Sequence, residues 1–265
     1  MATRRDSTIN DPAQEATSFL GLDVAWKTDR NSTGLAAFRL EGKDIRPAGL
    51  ASGVYSLDKV IQFVKEMQSP STVIAIDAPL IVANQTGQRP CETAITKRFH
   101  AQAASAHSAN LTINPDSIEL ARRLQAMGYR HCVPPTAPRS APGKWMFEVY
   151  PHPAHVRLFG LERTIRYKKG PLEDRRAGLI EYLEALRGNV IKDWVAREHQ
   201  GSIMGALQKS AADLAALNGR DLKAYEDLLD AVFSAYLAFY LWRWGWTGNE
   251  FVGDTASGYI VLPMS

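Results

Sequence analysis

The chain of 265 residues predicts an α/β fold built on a mixed β-sheet. Three observations lead there. Three strand-like runs follow one another near the start, an amphipathic helix and a β-branched run come next, and a long apolar helix closes the chain. Ser18–Trp26 (SFLGLDVAW) is apolar but for one aspartate and reads as a buried strand. Asn31–Gly34 is a turn, and Leu35–Leu40 is a second strand that makes a hairpin with the first. Glu41, Gly42 and Lys43 turn again into a weaker third strand, Ile45–Ala51. Ser56 is the expected N-cap of a helix reaching Met67, with Val60, Ile61, Val64 and Met67 on its apolar face. Thr72–Ile76 (TVIAI) is a core strand, stopped by Pro79 just after Asp77. The order βββαβ requires at least one crossover connection.

The middle of the chain is less regular. Helices are expected around Glu92–Ala109 and Asp116–Met127, followed by a proline-rich loop, Pro134–Pro142. Trp145–Tyr150 (WMFEVY) is a strand that Pro151 and Pro153 should stop. Further helices are expected over Leu172–Arg187, in parts of Val190–Leu217, and from about Leu222 to Trp242. Tyr259–Leu262 (YIVL) is a short last strand. No internal repeat or low-complexity segment interrupts this order.

Hydrophobic residues are 45% and charged residues 22% of the chain, which excludes global disorder, a collagen-like chain and a coiled coil. The net charge of +3 hides an uneven distribution: residues 1–121 carry −1, residues 122–176 carry +8 and residues 177–265 carry −4. A basic block of this kind suits either a polyanionic partner or a solvated loop. Cys91 and Cys132 have no metal-ligand spacing, and two cysteines suit a reducing, cytoplasmic setting. Residues 1–17 read as a polar tail rather than a signal peptide. The longest apolar stretch, Ala231–Trp242, is too short for a bilayer and reads as a buried helix, so no membrane partner is expected.

Carboxylates stand in apolar settings on three strands: Asp23 in FLGLDVAW, Asp77 after VIAI and Glu148 in WMFEVYP. Aspartate is depleted in strands and costly to bury unless paired or metal-bound, although a strand-end aspartate also caps turns. Asp227 and Asp230 in YEDLLDAVF are three residues apart and share one helix face. They read either as a wet first helical turn or as part of a convergent carboxylate centre. Carboxylates that converge need cations, and Mg²⁺ or Mn²⁺ prefer oxygen ligands. Two such ions ~4 Å apart can serve phosphodiester hydrolysis. The histidines (His100, His107, His131, His152, His155 and His199) form no ligand motif and are expected to be surface or capping residues.

The succession GLDVAW, IDAPL, RPCE, EVYP, DLLDA and GYIVLP resembles the domain-of-unknown-function 429 family over roughly residues 18–263. That resemblance implies a predicted nuclease with an RNase H-like fold, related to the Holliday-junction resolvase branch. It implies one RNase H-like domain over 18–265, with helical insertions at about 81–143 and 152–223. It also implies that Asp23, Asp77, Asp227 and Asp230 hold the metals. Where the resolvase carries a glutamate on its fourth strand, this chain has Asp77. Glu148 belongs to the family's own EVYP motif and joins the catalytic candidates.

The resemblance places RPCE near the site, so Arg89 reads either as a phosphate fork or as the partner of a neighbour in a helix-start salt bridge, and Glu92 joins it as a candidate for binding substrate. The basic block flanks Glu148, so its cations are candidates for gripping a nucleic-acid backbone, Lys144 and Arg176 among them. Trp145 and Tyr167 either stack bases or pack internally. The expected activity is Mg²⁺- or Mn²⁺-dependent cleavage of DNA or RNA. A non-catalytic nucleic-acid- or protein-binding module and an ATP-dependent phosphotransferase of the sugar-kinase or actin type are the alternatives. Against the last, the first hairpin turn, DRNSTG, is no glycine-rich phosphate clamp. The sequence sets no oligomeric state, and a homodimer is compatible with it.

Overall fold

The computed structural model describes residues 16–113 and 115–264. The expected tail, residues 1–17, lies outside the described residues except for Ala16 and for Thr17, which opens the first strand. Among the described residues, eight strands and nine helices are found in the order β1 Thr17–Asp23, β2 Ser32–Glu41, β3 Asp44–Val54, α1 Leu57–Met67, β4 Ser71–Ile76, α2 Pro90–Phe99 and α3 Ser117–Ala126. There follow β5 Arg130–His131, β6 Lys144–Glu148, α4 Pro151–Leu158, α5 Leu172–Leu186, α6 Lys192–Trp194, α7 Arg197–Leu207, α8 Ala211–Ala216, α9 Gly219–Trp244, β7 Asn249–Asp254 and β8 Gly258–Pro263. A π-helical segment, Arg187–Ile191, joins α5 to α6.

Six strands form one mixed sheet in the spatial order β3-β2-β1-β4-β6-β5. The first three pair antiparallel, while β1, β4, β6 and β5 run parallel. The expected α/β class and mixed sheet are therefore present. Side chains alternate along β1 in the strand period of two. Leu20 and Leu22 face α1 and α3 in one core with Val60, Val64, Ile74, Leu120 and Leu124. Phe19 faces the other core with Phe38, Val73, Phe147, Leu229 and Phe233. Fully burying each such side chain contributes about 1.5–3 kcal/mol, which is why this alternation sets the strand's register.

Helix α9 lies directly on β1 and β2. A Cβ on Gly21 would stand 1.9 Å from the Ala231 carbonyl oxygen and 2.2 Å from the Ala235 nitrogen. A Cβ on Gly34, the β2 residue opposite Asp23, would stand 1.9 Å from the Asp227 carbonyl oxygen. These two glycines let the helix backbone touch the sheet, and so bring the carboxylates of α9 over the end of β1.

Several expectations need correction. Pro151 and Pro153 do not merely stop a strand; Pro151 opens α4, where a missing N–H costs no hydrogen bond. The helix expected over Glu92–Ala109 ends at Phe99, and Ala103 follows with a positive φ of 57°. Helix α9 starts at Gly219, capped by Asn218, whose side chain accepts from the Arg220 and Asp221 N–H groups. Asp227 and Asp230 therefore lie inside a helix and are buried, not in a wet first turn. The last strand, β8, pairs with β7 in a separate two-stranded sheet, and its Val261 bridges to Val149, the residue that follows β6. Among the described residues, no helix is long and apolar enough to cross a membrane.

Candidate functional site

The parallel strands β1, β4 and β6 end side by side, and each carries an acid there: Asp23, Asp77 and Glu148. In open α/β sheets this carboxyl edge is where ligands bind. The Asp77 N–H donates to the Leu22 carbonyl and the Val149 N–H to the Ile76 carbonyl, so pairing continues to the edge and fixes the acids there. A cleft of about 610 Å³ opens above them, with Asp23, Asp77, Glu148, Lys168, Lys223 and Asp227 in its wall.

Asp23, Asp77 and Asp230 each present a carboxylate oxygen within 4.8 Å of the other two. The sequence-derived constellation is thus brought together for three of its members. Asp227 stands beside them, but its Oδ1 is engaged by the Lys223 ammonium, which also lies 2.8 Å from Glu226. Lys168 Nζ lies 2.7 Å from Asp230 Oδ2 and 3.9 Å from Asp77 Oδ2. The Tyr167 hydroxyl donates to Asp230 Oδ1 at 2.8 Å.

Burial drives the titration of this group. It pushes Asp23 and Asp77 well above the ordinary aspartate value, with the neighbouring carboxylates adding to the effect and Lys168 opposing it. Burial also lifts Asp227, to about 6, against the pull of Lys223. Burial is the largest single influence on Asp230 as well and raises it, but the attraction and hydrogen bond of Lys168, with His155 and His152 adding to them, together hold it below its ordinary value. Burial alone would lower Lys168, but the attraction of Asp230, Asp23 and Asp77 raises it well above the ordinary lysine value.

The other candidates are placed differently. Glu148 is buried one strand away, accepting from the Leu80 N–H at 2.9 Å and from both terminal nitrogens of Arg89, at 2.9 and 2.5 Å. Arg89 is 1% exposed and also donates to Glu92 and to the Ile81 carbonyl. Glu92 caps its own helix by accepting from the Arg89 N–H, and it accepts from the Ala109 N–H as well. Arg89, Glu92 and Glu148 thus form a closed ion network that holds the segment after Asp77, with the guanidinium donors turned inward. Lys144 begins β6, at the opposite end of the strand from Glu148, and donates to the Met127 carbonyl. Arg176 donates to the carbonyls of Ala215 and Leu217 and does not line the cleft.

Trp145 and Tyr167 are packed inside, 5% and 0% exposed. His155 corrects the surface reading of the histidines. It is fully buried, 3.0 Å from the Tyr182 hydroxyl, and burial lowers it to about 3. Cys91 and Cys132 are buried free thiols, both pushed by burial to about 12. Lys168 and Lys223 are the site residues that sequence reasoning missed. The first was one cation among many in the basic block, and the second sits one helical turn before Asp227, a spacing that would have flagged it.

Sheet order and acid placement define an α/β protein with a carboxylate centre at the carboxyl edge of parallel strands. Residues 21–250 match the family described as "Protein of unknown function (DUF429)", and the chain belongs to it. No curated protein and no solved structure matches the chain.

Proposed function

We propose that this protein is a metal-dependent nuclease that hydrolyses phosphodiester bonds of nucleic acid at the Asp23–Asp77–Asp230 centre, on an RNase H-like sheet. The observation that carries the reading is the convergence of those three carboxylates within 4.8 Å at the carboxyl edge of β1 and β4. The sheet order β3-β2-β1-β4-β6-β5, with an antiparallel first half and a parallel second half, supports the fold reading.

The donor set fits Mg²⁺ or Mn²⁺. All three ligands are oxygens, as hard cations require, and Asp23 Oδ2 is buried without a hydrogen-bond donor. Asp227 Oδ2, equally without a donor, stands next to the centre as a further ligand or as a proton acceptor for water. A divalent cation bound there would supply Lewis-acid polarisation of the phosphate and a more acidic water. The chain's own residues do the rest. Burial makes Asp23 and Asp77 demand a cation, Tyr167 fixes the rotamer of Asp230, and the Arg89–Glu148 pair holds the Asp77 loop against the sheet.

The test is cleavage of labelled single-stranded, hybrid and branched substrates with Mn²⁺. Asp23→Asn should abolish cleavage, and activity that persists both in that variant and in EDTA overturns the reading. A binding module without turnover is the second reading. It is favoured by the Lys168 and Lys223 ammonium groups, which already neutralise part of the acidic cluster. Salt-sensitive oligonucleotide binding with no Mn²⁺ uptake would select it.

A further inference from the structure

A second cavity, of about 370 Å³, adjoins the carboxylate cleft and shares His107, Tyr150 and Lys168 with it. Its electrostatics are the reverse of its neighbour's. Arg163, Arg166, Lys168 and Lys169 line it, and no carboxylate does among the described residues. Arg163, Arg166 and Lys169 are exposed, and none has an ion pair or a side-chain hydrogen bond among the described residues. The rest of the basic block is differently engaged. Arg122 and Arg123 pair with Glu119, Arg175 pairs with Glu226, and Arg130 lies over Trp145. The unpaired cations of this stretch therefore collect at one place, beside the acids.

The segment that carries them is fixed, unlike a solvated loop. The Thr164 N–H donates to the Gln102 carbonyl at 2.8 Å, and Tyr167 and Lys168 are both tied to Asp230. The Arg166 carbonyl is packed so closely on α5 that a Cβ on Gly178 would stand 2.2 Å from it. Two polar atoms of the lining residues lack partners: Thr164 Oγ1, on a residue 8% exposed, and His152 Nε2. A buried hydroxyl without a partner is unfavourable, and a bound oxyanion would supply its acceptor.

We infer that this cavity holds a backbone phosphate of the nucleic-acid strand whose neighbouring phosphate lies over Asp23, Asp77 and Asp230. The inference rests on the nuclease reading for its choice of a strand as ligand. A planar guanidinium fork at Arg163 or Arg166 and an ammonium at Lys169 are suited to phosphate oxygens, and the volume is at the small end of ligand sites. Lys168 is the hinge of the arrangement, because it touches the acids and lines both spaces.

The test uses the full chain in EDTA, with a short fluorescent single-stranded oligonucleotide followed by anisotropy and inorganic phosphate as competitor. The triple variant Arg163→Ala, Arg166→Ala, Lys169→Ala should lose oligonucleotide affinity by about tenfold or more. Its salt dependence should become shallower by about 0.7 for each phosphate contact removed. Its melting temperature should match that of the wild type, because all three side chains are exposed. Phosphate should displace the oligonucleotide from the wild type. Equal affinity of wild type and variant overturns the proposal. So does phosphate binding without oligonucleotide binding, which would assign the cavity to a small phosphorylated molecule. Cleavage in Mn²⁺ separates the two readings. A wild type that cleaves, with a variant that still binds, removes the phosphate site and leaves the nuclease. A variant that loses binding, in a protein that never cleaves, does the reverse.

Discussion

The Lys168 ammonium lies 2.7 Å from Oδ2 of Asp230, among the carboxylates proposed to receive a divalent cation. Lysine and metal are thus competitors for one concentration of negative charge. Lys168→Met should leave Asp23, Asp77 and Asp230 without their nearest cation. In EDTA the variant should be less stable by about 3–5 kcal/mol, the usual result of removing one partner of a buried pair. Mn²⁺ should then raise its melting temperature more than that of the wild type, by an amount that grows with ion concentration. Thermal unfolding with and without Mn²⁺ reads both effects, and an indifferent variant would remove the cation site.

The network of Arg89, Glu92 and Glu148 makes a contrasting prediction. All three are buried, so Arg89→Met should destabilise the fold by about 3–5 kcal/mol by leaving two carboxylates unpaired. Glu148→Gln should cost less, because an amide keeps the shape and part of the hydrogen bonding. Urea denaturation measures both. An Arg89 that served as a substrate fork would instead leave stability unchanged.

Gly21→Ala should be severe. The added methyl group would sit 1.9 Å from the Ala231 carbonyl oxygen, and backbone on both sides cannot yield without lifting α9. Expected is a loss of about 3 kcal/mol or more, or failure to fold. Gly201→Ala is the control. It lies inside α7 with nothing within 4 Å of its Cβ, so it should stabilise the helix by about 0.5–1 kcal/mol. Circular-dichroism melts of the two variants should move in opposite directions.

His155 predicts a dependence on pH. Its folded pKa, about 3, lies below the unfolded value of 6.5, so the unfolded chain binds the proton first. Stability is full above about pH 6.5 and falls as the pH drops toward 3, by about 2 kcal/mol at pH 5 from this group alone. Asp23 and Asp77 act in the opposite sense, because a raised carboxyl in the folded state gains stability as it takes up a proton. His155→Phe removes the titration at similar volume, so the fall in urea midpoint between pH 7 and pH 5 should be smaller in the variant.

The strands β1 to β4 and β6, together with α1, were legible because alternation and β-branched runs are local signals. So were Asp23 and Asp77, since a lone carboxylate in an apolar run stands out, and Asp230, through its three-residue spacing from Asp227 ahead of an apolar stretch. What stayed hidden depends on distant pairing. Arg89 is separated from Glu148 by 59 positions, and nothing local says that its guanidinium turns inward. Lys168 looked like its neighbours Arg166 and Lys169 until the fold turned it toward Asp230. The two-residue strand β5 is too short for periodicity to register, and β7 (NEFVGD) breaks alternation with a glycine.

The seating of α9 on Gly21 also works as an indexing device. Asp230 adjoins Ala231, the residue that meets Gly21, so the acid's azimuth around the helix is locked to the sheet at its own position. One residue inserted between Asp227 and Ala235 would turn one side of the helix by about 100° relative to the other. The acids and the sheet contact would then fall out of phase. Length changes are therefore forbidden in this short stretch, whatever their composition, while the same insertion before Asn218 would leave the phasing intact.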